Sequence, residues 1–483
     1  MKLNKNIIFI YLLSINFQLN AEVFEGYTLF SPLETYAEIP KTYLINNNGD
    51  IINNWSHEYG AASMPYLLPD SSIIYPYRVP NPTMQAGGVG GGIEKQNWQG
   101  DLIWQYTFSD QNIQHHHDIE PLPSGNILII VWEKKTAEEA FSMGREIITN
   151  PINQMWSTAI LELNPINGVI VWEWHLWDHL VQDINPNLPN YGNIIDHPEL
   201  FDINCGEVGS DIGGPQQPNA DWMHINAIHY NSTLDQIIIS SRAQNEIYII
   251  DHSTTTEEAA SHYGGNSGKG GDFLYRWGNP QNYDRGSEAD KILGWQHGAH
   301  WIESNFPGDG NIMIFNNNHN PGNSNHSAVI EFTPPLDEYN NYFIKDGNAF
   351  GPENLEWILI DDFATPIQGG AFRLPNGNTL VTQTHTATIF EYNQEGSIVW
   401  SYQFISEYGS SWIARCQKYR IDYLMNYSLG DLNEDGNLNI LDIILLSNLI
   451  LLGDDSHPQG DINQDNSFDI LDIISLVNLI LTI

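Results

Sequence analysis

The stretch LPSGNILII, residues 122–130, sets a Ser-Gly-Asn turn between two short β-rich runs and reads as a hairpin. The pattern returns in FPGDGNIMIF (306–315) and LPNGNTLVT (374–382), and more loosely in LLPDSSIIY (67–75) and STLDQIIIS (232–240). A second hairpin follows each time and often ends in Trp. Its copies are YLINNNGDIINNW (43–55), GGIEKQNWQGDLIW (91–104), ILELNPINGVIVWEW (160–174) and IFEYNQEGSIVWSY (389–402), with longer versions over 247–277 and 329–357. Two hairpins make a four-stranded antiparallel sheet, and a repeat of about 40–50 residues suits propeller blades. The count of second hairpins predicts an all-β, six-bladed β-propeller over roughly 23–426, with a seven-bladed ring as the alternative. One first hairpin is missing. Pairing GYTLF (26–30) with ARCQKYRIDYL (414–424) would supply it from both chain ends and leave no open sheet edge.

The chain begins with a positive segment, MKLNKN, then an apolar run, IIFIYLLSINF, then Leu-Asn-Ala. This predicts a signal peptide over 1–21 and an exported protein, secreted, periplasmic or at the cell surface. No later apolar run approaches the ~20 residues needed to span a bilayer. The formal charge is −41, from 59 acidic against 18 basic residues. Nucleic acid needs a basic footprint, so it is excluded as a partner, as is a polybasic membrane contact. An exported chain permits a disulfide between Cys205 and Cys416, although the sequence does not show whether they meet.

The tail differs in composition, which divides the chain into a propeller over 22–427 and a small α-helical domain over 428–483. GDLNEDGNLNILDIILLSNLIL and GDINQDNSFDILDIISLVNLIL are two copies of one unit. Asp431, Asn433, Asp435, Asn437 and Asp442 fall at positions 1, 3, 5, 7 and 12 of a calcium loop. Asp461, Asn463, Asp465, Ser467 and Asp472 repeat the set, with Asn466 standing where the first copy has Gly436. Oxygen ligands at this spacing suit calcium, and a helical run follows each loop. The pair resembles type I dockerin modules, which implies docking onto a cohesin-like partner rather than chemistry.

In a propeller, whatever stands just before each blade's first strand gathers on one face of the disc. Aligned on the hairpin turn, IQHHHDIEPLPSGN places His117 there, DWMHINAIHYN places His224, and GWQHGAHWIESNFPGDGN places His297. Gly369 takes the position in IQGGAFRLPNGN. Ends of second strands add His385, Asn317 and Arg242, with Trp132 or Trp222 as aromatic walls. The expected pocket therefore has His224, His297 and His385 as its chemical groups. His117, Asn226, Arg242, Asn317 and His300 are its substrate-binding candidates. His115 and His116 read as loop residues, and Asp118 with Glu120 as either structural carboxylates or an acid and base. A histidine cluster fits a metal site, or a histidine nucleophile attacking phosphorus or sulfur while neighbours hold the anionic oxygens.

DWMHIN, GWQH followed by GNIMIFNNN, GGAFRLPNGNTLV and the closing QKYRIDYL resemble the bacterial arylsulfate sulfotransferase family. The resemblance covers most of 23–426. It implies a six-bladed propeller with no cofactor, and PAPS-independent transfer of a sulfuryl group from a phenolic sulfate ester to another phenol through a sulfohistidine. Carried over by position, His224 and His297 would bind and polarise the sulfuryl group, and His385 would be the nucleophile. One departure stands out. The family pattern has a sulfate-binding Arg after an Asp-Asn-Gly turn, whereas this chain has NNNHN and then Ser327 and Ala328, with no Arg between Arg285 and Arg373. Arg242 or a cluster histidine could substitute. Otherwise the propeller would be a non-catalytic module that binds a sulfated or phenolic ligand and is tethered through its tail.

Overall fold

The computed structural model describes residues 22–34, 37–209, 218–319, 326–345, 347–361, 363–409, 411–424, 430–433, 438–453, 460–463 and 467–482. The expected signal segment lies outside them. Six four-stranded antiparallel sheets form the ring, so the seven-bladed alternative falls. Blade 1 orders Gln417–Arg420, Gly26–Phe30, Lys41–Ile45 and Ile51–Ser56. Blades 2, 3 and 4 start at Tyr66–Leu67, Ile113–Pro121 and Ile225–Asn231, and blades 5 and 6 at His297–Trp301 and Gly370–Arg373. The hairpin turns have the chemistry they require: Gly125 and Gly377 sit at φ 85° and φ 87°, where a side chain would be strained.

Blade 1 is assembled from both ends of the propeller segment, as the pattern predicts. Gly26 faces Arg420, Thr28 faces Lys418 and Leu29 faces Gln417 in antiparallel register. A single carboxylate of blade 6 holds both ends. Glu391 Oε1 accepts from the Phe24 N–H at 2.6 Å, and its Oε2 takes the Lys418 ammonium at 2.8 Å. Both charged side chains are fully buried.

Neighbouring blades are tied by a repeated contact. An aromatic donor on the fourth strand of each blade reaches the last turn or connection of the next. Trp55 Nε1 donates to Asn97 O at 2.8 Å, Tyr106 Oη to Pro165 O at 2.9 Å and Trp172 Nε1 to Thr254 Oγ1 at 3.1 Å. Trp277 donates to Pro352 O at 3.0 Å, Trp357 to Gln394 O at 3.4 Å, and Trp400 to Asn47 O at 2.7 Å across the closure. The recurring tryptophans are therefore structural straps between blades.

The first strands line the channel. Those of blades 3, 4, 5 and 6 touch one another in turn, and most of their residues are buried. In the tail, helices Ile440–Leu452 and Ile470–Thr482 pack together over Leu446 and Leu476.

Removing the charge that holds the closure tests this account. Glu391→Gln leaves a buried ammonium without its partner, which costs roughly 3–5 kcal/mol. The variant is expected to unfold at a clearly lower urea concentration than the parent chain, followed by tryptophan fluorescence.

Candidate functional site

The inner strands do not run smoothly into the channel mouth. Register shifts interrupt the first hairpins of blades 3, 4 and 5, between His115 and Ile119, Ile225 and Ala227, and His297 and His300. His117 and His224 adopt left-handed conformations, at φ 56° and φ 49°, as do Gly298 beside His297 and Gln368 with Gly369 in blade 6. A non-glycine residue held there stores about 1–3 kcal/mol, and such strain gathers at functional sites. The bulges turn the histidines toward one another.

The His117 and His224 rings meet edge to face at 4.6 Å between centroids. His224 Nδ1 donates to Asp221 Oδ2 at 2.5 Å, and Asp221 Oδ1 accepts from Trp132 Nε1 at 3.0 Å and from the His224 N–H at 3.2 Å. A carboxylate only accepts, so Nδ1 carries a proton and Nε2 is the ring nitrogen left for chemistry. His297 is held differently. Its Nδ1 donates to Asn317 Oδ1 at 2.7 Å and its Nε2 accepts from the Gln368 N–H at 3.2 Å. Burial first, and then the neighbouring histidines, hold His117 well below the ordinary imidazole range. Burial and the Arg242 charge do the same to His297. These rings are neutral.

Arg242 is the cation of the site. Its guanidinium lies 5.4 Å from the Trp295 ring centroid, and its Nε and Nη1 are buried without a hydrogen-bond partner among the described residues. Burial lowers its pKa to about 10, and Asp221 opposes the shift, so the charge persists at neutral pH. Unspent guanidinium donors beside neutral imidazoles have the chemistry to hold an anion next to a ring nitrogen.

The other expected residues divide. Asn317 spends its side chain on His297 and on the Thr365 and Gln368 carbonyls, which makes it a positioning residue. Asn226 donates to Gln296 O at 2.7 Å and keeps a buried, unpartnered Oδ1. His385 is half-buried against Trp412 at 4.5 Å. Neither a ring contact nor a charge interaction joins it to His117, His224 or His297 among the described residues. His300 is set apart. It lines a cavity of about 420 Å³ at the far ends of the inner strands, with His229, Glu120, Glu303 and Arg415.

Several readings are corrected. His115 and His116 are not loop residues; both are buried in the first strand of blade 3. His115 Nδ1 accepts from the Gly91 N–H of blade 2 at 2.9 Å, and His116 stacks on Trp132 at 4.2 Å. Trp222 is no pocket wall: it is fully buried and donates to Cys205 O. Asp118 is structural, paired with Arg415 at 2.6 Å and accepting from Tyr66 Oη at 3.1 Å. Glu120 opens on the far cavity, where burial raises its pKa well above the carboxylate range. Cys205 and Cys416 are free thiols. Asp221 and Gln368 were missed by sequence reasoning. The i, i+3 spacing of Asp221 and His224 was the available signal for the first.

In the tail, Asp442 and Asp472 are fully buried. Asp442 accepts from the Leu432, Asn433 and Asn439 N–H groups, and Asp472 from those of Asn463 and Asp469. Asp431 is buried as well, and no Lys or Arg follows Arg420 in the chain. Buried carboxylates without a basic residue nearby in the chain suit a bound cation. Asp435, Asn437 and Asp465 lie outside the described residues, while Asp461, Asn463, Asn433 and Ser467 are within them.

The arylsulfotransferase (ASST) family model matches residues 40–342. This chain belongs to that family. Aryl sulfotransfer, with aryl sulfates and phenols as the substrate class, is accordingly its activity at family level. No curated protein matches the chain. Among solved structures, a protein of unknown function from Bacteroides caccae is 12% identical with a TM-score of 0.44, over 82% of this chain and 99% of that one. A putative 6-phosphogluconolactonase from Bacteroides fragilis is 10% identical with a TM-score of 0.37, over 82% and 98%. A luciferin-regenerating enzyme is 8% identical with a TM-score of 0.34, over 83% and 94%. These likenesses are too low to carry a function across.

The buried histidines fix the direction of acid sensitivity. His117 and His297 have folded pKa values depressed below the ordinary 6.5, so the unfolded chain binds protons first as pH falls. Their contribution to stability is present above that value and is lost below it. The melting temperature is expected to fall as pH drops from 7 to 5, and His297→Gln, which cannot titrate, should flatten that slope.

Proposed function

We propose that this arylsulfotransferase transfers a sulfuryl group through a covalent sulfohistidine on His224, with Arg242 holding the sulfonate oxygens. The observation that supports it is the Asp221–His224 pair, at 2.5 Å, beside an unspent buried guanidinium. In the first step the bond between sulfur and the donor phenolate oxygen breaks as sulfur bonds to His224 Nε2. The phenolate leaves and takes a proton from water. The ring, still protonated at Nδ1, becomes cationic, and Asp221 stabilises that charge. In the second step an acceptor phenol loses its proton to water and its oxygen attacks sulfur. The S–N bond breaks and neutral His224 returns. His117, beside His224, and the neutral ring of His297 enclose the transferring group, which keeps its charge on Arg242.

The family resemblance points to His385 as nucleophile instead. Peptide mapping of enzyme quenched during turnover of a radiolabelled aryl sulfate separates the two, since the label stays on the attacking histidine. His224→Ala and Arg242→Gln are expected to lower transfer from a chromogenic aryl sulfate to phenol by at least about a hundredfold. Asp221→Asn should cost roughly 10²–10⁴-fold, with little change in KM, because it lets the ring adopt the wrong tautomer. His385→Ala should cost far less. Label on His385, with activity intact in His224→Ala, would reverse the assignment.

We further propose that the enzyme is exported after loss of 1–21, and that its tail is a dockerin-like module which binds two calcium ions and docks onto a cohesin-like protein. Exposed Ile440, Leu441, Ile444 and Leu445 are matched in the second helix by Ile470, Leu471 and Ile474, a duplicated apolar face in keeping with docking. Calorimetry of chelator-treated protein should show two calcium equivalents. Asp442→Ala with Asp472→Ala should abolish both while leaving aryl sulfotransfer unchanged.

A further inference from the structure

The propeller holds a second cluster of ligating side chains, away from the histidine ring. His179 follows the last strand of blade 3, while His262 and Asp272 belong to the long connection inside blade 4. His179 Nδ1 lies 2.7 Å from Asp272 Oδ1, and His262 Nδ1 lies 2.8 Å from the same oxygen. All the candidate ligand atoms fall within 4.8 Å of one another. His179 and Asp272 are buried, and His262 is exposed at the rim.

The proton count at His179 is what calls for a cation. Its Nε2 lies 2.8 Å from the Ala259 carbonyl oxygen, which can only accept, so Nε2 carries hydrogen. The other ring nitrogen, Nδ1, is aimed at a carboxylate oxygen, which is also an acceptor. Two acceptors, one at each ring nitrogen, need positive charge between them. A ligating histidine typically donates its other N–H to a backbone carbonyl, which fixes the tautomer and ring orientation. The ring of His179 is further fixed by a parallel stack on Trp174, at 5.7 Å and 3°. The 261–272 loop closes tightly over it, since a side chain on Gly271 would come within 2.0 Å of Ala259 O and 2.6 Å of His179 Nε2.

We propose that His179 Nδ1, His262 Nδ1 and Asp272 Oδ1 bind one divalent transition-metal ion of the zinc class, with the remaining position open to solvent beside His262. Two imidazoles and a carboxylate are a common zinc donor set. Bonds of about 2.0–2.2 Å would place tetrahedral ligand atoms roughly 3.3 Å apart. Both Nδ1–Oδ1 separations must therefore widen by about half an ångström when the ion enters, His262 moving at the exposed rim and the Asp272 carboxylate turning away from the fixed His179 ring. The ion would clip the exit of blade 3 to the blade 4 connection. It takes no part in sulfuryl transfer.

Cobalt(II) is the direct probe, added to chelator-treated full-length protein in calcium-saturated buffer so that the tail does not compete. One equivalent should give the intense visible bands of a low-coordinate site, and one equivalent of zinc should bleach them. His262→Ala, at an exposed position, should melt like the parent without metal yet lose more than about a hundredfold in cobalt affinity. Asp272→Asn should do the same for the bands even if its melting point falls. Absence of the bands in the parent, or bands that persist at unchanged affinity in His262→Ala, would overturn the site and leave a protonated His179 as the cation.

Discussion

Glu391 carries a burden out of proportion to its size. A propeller is a ring that must be shut, and the chain shuts it by pairing a strand from before blade 2 with one from after blade 6. Hydrogen bonds between those strands set the register, but Glu391 makes both ends answer to one buried charge, through the Phe24 N–H and the Lys418 ammonium. The indole and phenol straps then propagate that closure around the disc, each blade tied to the next. Without closure the inner strands would have no fixed relation to one another. The site, whose members come from separate blades, would not exist.

The site uses that rigidity to hold unfavourable things. Left-handed histidines, an unspent guanidinium and neutral rings crowded together each cost free energy, and a flexible scaffold would relax them. Blade packing prevents the relaxation. Burial keeps His117 and His297 neutral, which leaves Arg242 as the cation beside them. Asp221 is the counterweight. It is the carboxylate bonded to His224, and it is itself fixed by the Trp132 N–H, so the imidazole it orients cannot turn.

The fold was largely legible because hairpin turns and strap tryptophans are local signals repeated along the chain. Even the split blade could be read, since one first hairpin was missing and both ends carried strand-like sequence. The site was legible only in part. Alignment on the turn placed His117, His224 and His297 correctly at the channel, because position along an inner strand follows from counting. It failed for His300, only three residues beyond His297, because the bulge at Gly298 makes side-chain direction depend on backbone irregularity that no periodicity encodes. It also failed for Trp222, where an aromatic two residues before an aligned histidine is core. Asp118 was left ambiguous because its partner, Arg415, arrives from the far end of the chain.

The absence of an arginine after the blade 5 turn looks at first like loss of function. Its consequence depends on what the site needs, which is a guanidinium at a place in space and not at a place in sequence. Every blade delivers its second-strand end to the same mouth, so an arginine from blade 4 can face the anion a blade 5 arginine would face. Arg242 stands at the end of the blade 4 second strand, its charge is felt by His297 of blade 5, and its Nε and Nη1 remain unspent. Arg276 and Arg373 answer to carboxylates, Glu246 and Glu331, whereas no carboxylate hydrogen-bonds the Nε or Nη1 of Arg242 among the described residues. Burying guanidinium donors without partners is costly unless an anion arrives to use them, and that cost is the physical ground for the proposal that Arg242 takes the sulfonate oxygens.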